Sequence, residues 1–290
     1  MAIDPDRLLN WPFDPVAQRY DERDSMLYAL SIGVGREPTD PAALRFVQER
    51  GLLAFPTMAA VLCRPGPWLA DPRTGVDRGM TVHGEIGIDF ASPLPPAGTM
   101  LARTRVTDVV DKGPGRGALI LTAREIKVQE TGEVVATVRS TSFARANGGF
   151  GGDPAVPRAP HALPDRSPDA VTEHVANRDA ALLYRLNGDR NPLHSDPETA
   201  RKAGYERPIL HGLYTFAAAA HAVLARFAEL DPTALRSIDA RFSAHVFPGE
   251  TISFEMWRNG AEISFRAFVR SRQAKVLDNG LAVLAGQLGG

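Results

Sequence analysis

A short stretch of the chain places a carboxylate and an imidazole five residues apart: GDRNPLH, which contains Asp189 and His194. Asn191 and Pro192, between them, favour a tight turn, and the proline ring fixes the backbone just before His194. A carboxylate and an imidazole that are close together and oriented in advance are what acid–base chemistry on a water molecule requires. The pattern therefore predicts a catalytic loop.

The ionisation of the two groups sets a condition on this chemistry. A histidine titrates near neutral pH. Asp189 matches it only if burial raises the pKa of its carboxyl, and the apolar residues around the loop predict partial burial. An isolated Asp and His in a turn are more often a local turn motif and a surface histidine, so further features are needed to support a site.

A glycine further along the chain supplies such a feature. Gly212 follows His211 and opens an Ala-rich run that extends to Leu230. The run is apolar on nearly every side, which predicts a long helix buried at the centre of a domain. A backbone N–H at the start of a helix, with no side chain in the way, can donate to a developing oxyanion.

The elements that must position these groups follow the same order in both halves of the chain, a helix and then several strands. The first half has a predicted helix at Asp21–Ile32, whose first turn is acidic as the helix dipole favours. The predicted strands are Met100–Val110, Ala118–Gln129, Val134–Phe143, Thr251–Trp257, Glu262–Ser271, Ala274–Leu277 and Leu281–Leu288. ETGE and RNGAE mark hairpin turns. We expect an α+β fold, a double hot-dog with two antiparallel sheets that each wrap a helix.

A segment rich in Gly and Pro, Ala146–Asp169, separates the halves. Neither helix nor strand propagates through such a composition. We expect an N-terminal hot-dog-like domain over residues 1–152, a linker over 153–169 and a C-terminal catalytic domain over 170–290. A long loop within one domain is the alternative, although long structureless loops are uncommon.

Charge and composition exclude several classes of protein. The 290 residues carry 33 basic and 34 acidic side chains, so a broad nucleic-acid surface is excluded and a membrane surface is disfavoured. A single cysteine, Cys63, excludes an intrachain disulfide and a four-cysteine zinc site, which suits a reduced, cytoplasmic protein. We also expect no signal peptide, no transmembrane helix and no peroxisomal Ser-Lys-Leu address.

The stretch from Tyr184 to Leu213 resembles the MaoC-like (R)-specific enoyl-CoA hydratases, or hydratase 2, including the hydratase part of peroxisomal multifunctional enzyme type 2. The family pattern is an aromatic, an apolar and a small residue followed by GDxNPLHxD, and YRLNGDRNPLHSD matches it except at Asn187, where a smaller residue is usual. The resemblance continues through RPILHGL, ARFSAHVFPG and EMW. In the first half it extends through RDSMLYALSIGVG, PLPPAG, DKG and GGFGG. It therefore spans nearly the whole chain.

The resemblance implies roles for individual residues. Asp189 and His194 match the catalytic pair that holds and activates water, and Asn191 matches the residue that organises the pair. Gly212 matches the backbone donor to the thioester oxygen. The implied reaction is the reversible hydration of a trans-2-enoyl-CoA to the (R)-3-hydroxyacyl-CoA, which uses no metal and no redox cofactor. The first half has no second GDxNPLH motif, so we expect one active site per chain and an acyl pocket shaped by the first half.

Some alternatives stay open at this point. A thioesterase of the same fold, or a non-catalytic subunit that binds acyl thioesters, is the runner-up. Arg207 and Arg241 are candidate contacts for the phosphates of CoA, and surface salt bridges are equally expected for them. His83 precedes Gly84 as His211 precedes Gly212, but without the Asp–His loop we expect it to be structural. We expect an acyl-CoA or acyl carrier protein substrate, no nucleic-acid partner and a homodimer. The length of the acyl chain is left open.

Overall fold

The structure of the chain is a computed structural model that describes residues 3–152, 154 and 158–286. Parts of the predicted linker and the last two residues of the predicted strand Leu281–Leu288 lie outside the described residues. No helix in the described ranges is both long and apolar enough to cross a membrane.

Antiparallel strands form the main body of the molecule. Strands β1 to β5 are Val16–Tyr20, Thr81–Phe90, Gly98–Asp111, Ala118–Val128 and Val134–Ala144. Strands β6 to β10 are Ala170–Val175, Leu235–Phe242, Thr251–Asn259, Glu262–Val269 and Ala274–Leu284. The order is β1-β3-β4-β5-β2-β7-β10-β9-β8-β6. The predicted α+β double hot-dog class is confirmed, and the two five-stranded halves join edge to edge where β2 pairs with β7.

The described α-helices include one long buried helix. They are α1 Pro5–Leu9, α2 Glu22–Ser31, α3 Pro41–Leu44, α4 Ala180–Tyr184, α5 Pro197–Lys202 and α6 Gly212–Phe227. Helix α6 is buried over most of its 16 residues and contacts β6, β7, β8 and β10. It ends before the predicted Leu230, because Glu229 and Leu230 adopt positive φ angles of 49° and 56° that no α-helix continues through.

The main helix of the first half, α2, is shorter than α6 of the second half. Helix α2 has 10 residues and begins with a capping box between Asp21 and Asp24. A fully buried 3₁₀ turn, Pro56–Ala60, lies under the sheet and contacts α6, β2 and β5. This turn brings the following residues of the first half close to the second half.

The described part of the predicted linker lies against the second half of the sheet. The carbonyl oxygen of Arg166 accepts from the Trp257 indole at 2.7 Å, and the His161 carbonyl accepts from Asn279 Nδ2 at 2.8 Å. The His161 ring also lies 2.8 Å from Ser264 Oγ. The described part of this segment therefore covers a face of the sheet.

The last two predicted strands form one strand, β10. The register of its pairing with β7 shifts between Asp278 and Leu281. Asn279 has a positive φ of 54° at this point, which is typical of a β-bulge, and the bulge explains the break in the sequence pattern.

Candidate active site

The Asp–His loop, residues 188–194, lies between α4 and α5 and contains a 3₁₀ turn over Pro192–His194. Gly188 has a φ of 103°, which favours glycine and lets the chain reverse after α4. The side-chain oxygen of Asn191 accepts from the backbone N–H of Leu193 at 3.1 Å. Asn191 therefore caps the turn that carries His194, and its role in organising the catalytic pair stays a prediction.

The ring of His194 is oriented by a backbone carbonyl. Its Nδ1 lies 2.8 Å from the carbonyl oxygen of Ile209, so Nδ1–H donates to that oxygen and Nε2 keeps its lone pair. Burial lowers the pKa of His194 and outweighs the opposing effects of the Ile209 carbonyl and of Asp189. The ring is therefore a neutral base around pH 7.

A second histidine, which sequence reasoning did not place in the site, stacks on the first. The rings of His211 and His194 lie 3.7 Å apart with an interplanar angle of 27°. His211 Nε2 lies 3.1 Å from the backbone carbonyl oxygen of Asp189. Burial, and then His194, lower the pKa of His211 to about 3, so this ring is also neutral. The His-Gly dipeptide before a helix is the sequence signal that marks it.

The carboxylate of Asp189 is paired with a cation from the first half. Arg64 Nη1 lies 3.0 Å from Asp189 Oδ2. Burial raises the pKa of Asp189, but the Arg64 guanidinium outweighs it, and the net pKa is lowered. The prediction that the pKa of Asp189 is raised is therefore wrong, because the sequence around the loop gave no sign of an arginine from a distant segment.

Gly212 is the first residue of α6, where an N–H has no carbonyl partner within the helix. A Cβ atom at this position would lie 3.1 Å from Cε1 of Phe242, so a side chain here is tightly restricted. The Phe242 ring lies in turn 4.9 Å from the ring of His83. Gly212, the predicted oxyanion donor, therefore begins a buried helix next to the ring of Phe242.

His83, on β2, lies at the edge of the same region. Its Nε2 lies 2.7 Å from Ser140 Oγ. His83 is exposed on one side, and desolvation of its ring on the protein side, followed by Arg64, lowers its pKa, while Asp189 acts in the opposite direction. His83 thus has a fixed partner within the first half, as a structural role requires, although it also faces the charges of the site.

A cleft of about 450 Å³ opens next to His194 and is lined by Arg178, Arg207 and Glu250, among others. The Arg207 guanidinium lies over the Phe247 ring at 4.8 Å. Arg241 is an exposed residue of β7 and does not line this cleft. Of the two predicted CoA contacts only Arg207 therefore lines the cleft beside His194, and both contacts stay predictions.

A double hot-dog with a neutral imidazole and an ionised carboxylate at the start of its central helix defines an acid–base enzyme class. The model of the MaoC like domain family matches residues 160–279. The MFE-2 hydratase 2 N-terminal domain model matches residues 18–146. The chain belongs to this family of MaoC-like dehydratases of the hydratase 2 type, so the predicted family is confirmed.

Similar proteins agree with this assignment. The probable enoyl-CoA hydratase 2 of Dictyostelium discoideum is 35% identical, over 98% of this chain and 97% of its own. The 3-hydroxyacyl-thioester dehydratase Y of Mycobacterium tuberculosis is 39% identical, over 89% of this chain and 88% of its own. The crystal structure of a MaoC-like dehydratase from Phytophthora capsici superposes with a TM-score of 0.86 at 33% identity, over 97% of this chain and 99% of that one. The predicted reaction class, a hydro-lyase, agrees with the names of these relatives.

Proposed function

We propose that the chain catalyses the reversible hydration of trans-2-enoyl-CoA to (R)-3-hydroxyacyl-CoA. One observation carries the proposal: the Ile209 carbonyl holds Nδ1 of His194, which leaves Nε2 as a neutral base on the loop that carries Asp189. Such a pair can hold a water molecule and take its proton.

The reaction proceeds in two steps, addition of water and then protonation of the enolate. The oxygen of water adds to C3 of the enoyl group, and its proton passes to Nε2 of His194. The electron pair of the double bond moves to the thioester oxygen, and the backbone N–H of Gly212 donates to the resulting enolate. His194 then returns the proton to C2 and becomes neutral again. Asp189, as a carboxylate, accepts a hydrogen bond from the second hydrogen of the water and so orients it.

The two halves have different tasks in this proposal. Residues 170–290 carry the catalytic groups, and residues 1–152 shape the acyl pocket without a second active site, since GDxNPLH occurs once. The segment 153–169 connects the halves. Arg207, at the cleft beside His194, is the candidate for the phosphates of CoA or of an acyl carrier protein. The same phosphate role for Arg241 receives no support from that cleft.

Location and assembly complete the proposal. A buried, unpaired Cys63 suits the reducing cytoplasm, where we place the protein as a homodimer that binds no membrane. Cell fractionation and light scattering on the purified protein test these two points.

The purified protein should remove the absorbance of the enoyl thioester without releasing thiol. Asp189→Asn and His194→Gln should each lose at least about 10²-fold in turnover, the usual contribution of a positioned acid or base. Asp108→Asn, on β3, is the matched control and should keep its activity. Circular dichroism shows whether each variant is folded.

Two outcomes contradict the proposal. Near-normal turnover in both variants would show that Asp189 and His194 are not the catalytic residues. Release of free CoA with the enoyl group intact would identify a thioesterase.

A further inference from the structure

The ion pair between Arg64 and Asp189 joins the two halves at the site. Arg64 follows the buried turn Pro56–Ala60 and comes directly after Cys63. The backbone N–H of Cys63 donates to Gln18 Oε1 at 2.6 Å, and its Sγ lies 3.5 Å from the Met100 carbonyl oxygen. The residue before Arg64 is thus held inside the first half. From this anchor the arginine side chain reaches Asp189.

In the described part of the chain, Asp189 is surrounded by four neutral titratable groups and one charged group. His194 lies on the same loop, His211 at the start of α6, His83 on β2 and Tyr184 at the end of α4. The pKa is lowered for each of these histidines and raised well above its ordinary value for Tyr184, so all four groups are neutral near pH 7. Among the described residues that act on Asp189, Arg64 is the one that carries a full positive charge.

The other contact of the carboxylate is weaker. Oδ1 of Asp189 accepts from the backbone N–H of Asn191 at 3.4 Å, which is near the limit for a hydrogen bond. Oδ2 is held by Arg64 at 3.0 Å. The Asp189 side chain is only 21% exposed, and burial without a partner favours the protonated form of a carboxyl. Arg64 therefore supplies both an orienting contact and a compensating charge.

We propose that Arg64, which comes from the half without the Asp–His loop, is a positioning residue that keeps Asp189 oriented and ionised for its work on water. The inference rests on the proposed hydration reaction and adds a dependence of that reaction on the first half. Arg64 acts through Asp189, so its loss should affect the enzyme most at the acidic end of the pH range.

A pH profile of kcat/KM for Arg64→Gln tests this role. We expect activity within about threefold of wild type at pH 8 and a lower activity than wild type at pH 5.5, because the acidic limb of the profile should begin about one pH unit higher, since a nearby opposite charge lowers the pKa of an Asp by roughly one unit or more. Arg64→Lys keeps the charge and should restore most of the activity at pH 5.5. Arg105→Gln, an exposed arginine on β3 of the same half, is the matched control and should follow wild type at every pH.

Two results overturn the proposal. In the first, Arg64→Gln raises KM equally at both pH values, which makes Arg64 a substrate contact only. In the second, its profile superposes on that of wild type.

A measurement without substrate separates this inference from the proposed function. Proteins labelled with ¹³C at the Asp carboxyl carbons give a carboxyl titration by NMR, and Asp189→Asn identifies the signal of Asp189. In Arg64→Gln that signal should titrate at higher pH than in wild type, whether or not the protein hydrates enoyl-CoA. An unchanged titration overturns the role of Arg64, whereas a shifted one in a protein that does not hydrate enoyl-CoA overturns only the proposed function.

Discussion

At the scale of single residues, the site depends on which groups are charged. His194 is kept neutral by burial, and its proton is placed on Nδ1 by the Ile209 carbonyl. Asp189 is kept ionised by Arg64 in spite of its burial. The pKa of each group is lowered, so both are in the form that the hydration step needs over a wide range of pH.

The lowered pKa of His194 predicts the pH dependence of hydration. A base must be neutral to accept a proton, and a histidine with a lowered pKa stays neutral below the ordinary value of about 6.5. The kcat/KM of wild type should therefore be level from about pH 8 to 6.5 and fall only at lower pH. A steady-state profile in buffers of constant ionic strength measures this. A midpoint at or above the ordinary histidine value would contradict the assignment of His194 as the base.

The close approach of Gly212 and Phe242 predicts the effect of a single methyl group. In Gly212→Ala, the new Cβ would lie 3.1–3.2 Å from two atoms of the Phe242 ring, so the ring or the start of α6 must shift. We expect kcat to fall by about 10-fold or more, since the donor to the enolate is displaced. The double variant Gly212→Ala with Phe242→Leu removes the clash and should recover part of that loss. If the single variant keeps its full kcat, the Phe242 ring gives way without displacing the donor, which contradicts this prediction.

Residues within one motif could be predicted from the sequence, and residues from other elements could not. Asp189, Asn191 and Gly212 stand in or next to a continuous pattern. Arg64 reaches the site only because a buried turn of the first half passes beneath the sheet, and no local spacing encodes that path. The prediction that the pKa of Asp189 is raised is wrong for the same reason, because Arg64 comes from a distant part of the chain.

At the scale of elements, the pairing of β2 with β7 joins the halves and has its own charge network. Arg139 on β5 binds Asp89 on β2 at 2.8 Å and Asp239 on β7 at 2.7 Å. Arg158, from the segment between the halves, binds Asp239 at 3.0 Å. Gly87 on β2 leaves the space in which the Asp239 carboxylate and the Arg139 guanidinium meet. Strand β2 therefore needs a small residue at this point.

An alanine at Gly87 should weaken the junction between the halves. Its Cβ would lie 2.1 Å from Asp239 Oδ1, so the carboxylate must leave its position beside Arg139. We expect the free energy of unfolding to fall by about 1 kcal/mol, as when a partly exposed ion pair is disturbed. The matched control is Gly84→Ala on the same strand, where the nearest atom lies at 3.4 Å and the effect should be smaller. Denaturant unfolding measures both, and equal losses would contradict this view of the junction.

The strands show what periodicity can and cannot predict. The runs that became β3, β4, β5, β8 and β9 alternate clearly and were predicted near their observed ends. Strands β1, β6 and β7 are short or lie in mixed sequence, and their pairing depends on partners far along the chain. The bulge near Asn279 interrupts the alternation within β10, so the sequence predicts two strands there instead of one.

At the scale of the whole molecule, one core spans both halves. Buried residues of α2, β2 and β5 belong to the same cluster as those of α6, β7 and β9. The single sheet and the shared core mean that the halves support each other. A loss of stability in one half should therefore spread to the site, which draws Arg64 from one half and Asp189 from the other.

Three histidines with lowered pKa values in this shared structure predict sensitivity to acid. Burial is the main cause that lowers the pKa of His174 to about 3, of His211 to about 3 and of His221 to about 4. In the unfolded chain these groups titrate near 6.5, so protons bind the unfolded state more readily. Their contribution to stability is complete above that value and is lost as pH falls toward the folded values. Each costs about 1.4 kcal/mol in total between pH 7.5 and 5.5, so three cost about 4 kcal/mol over that range.

The variant His221→Phe isolates one of these groups. The ring of His221 lies 6.2 Å from that of Phe55, an apolar setting in which phenylalanine is acceptable. Denaturant unfolding at pH 7.5 and 5.5 should show a loss of stability that is smaller in the variant than in wild type by about 1.4 kcal/mol. Carboxylates do not contribute in this window, because their unfolded pKa values lie near 4. The same loss in both proteins would mean that His221 takes up its proton without unfolding. The acid sensitivity would then come from the remaining histidines. Two of these are His211, at the start of α6, and His174, on the edge strand β6.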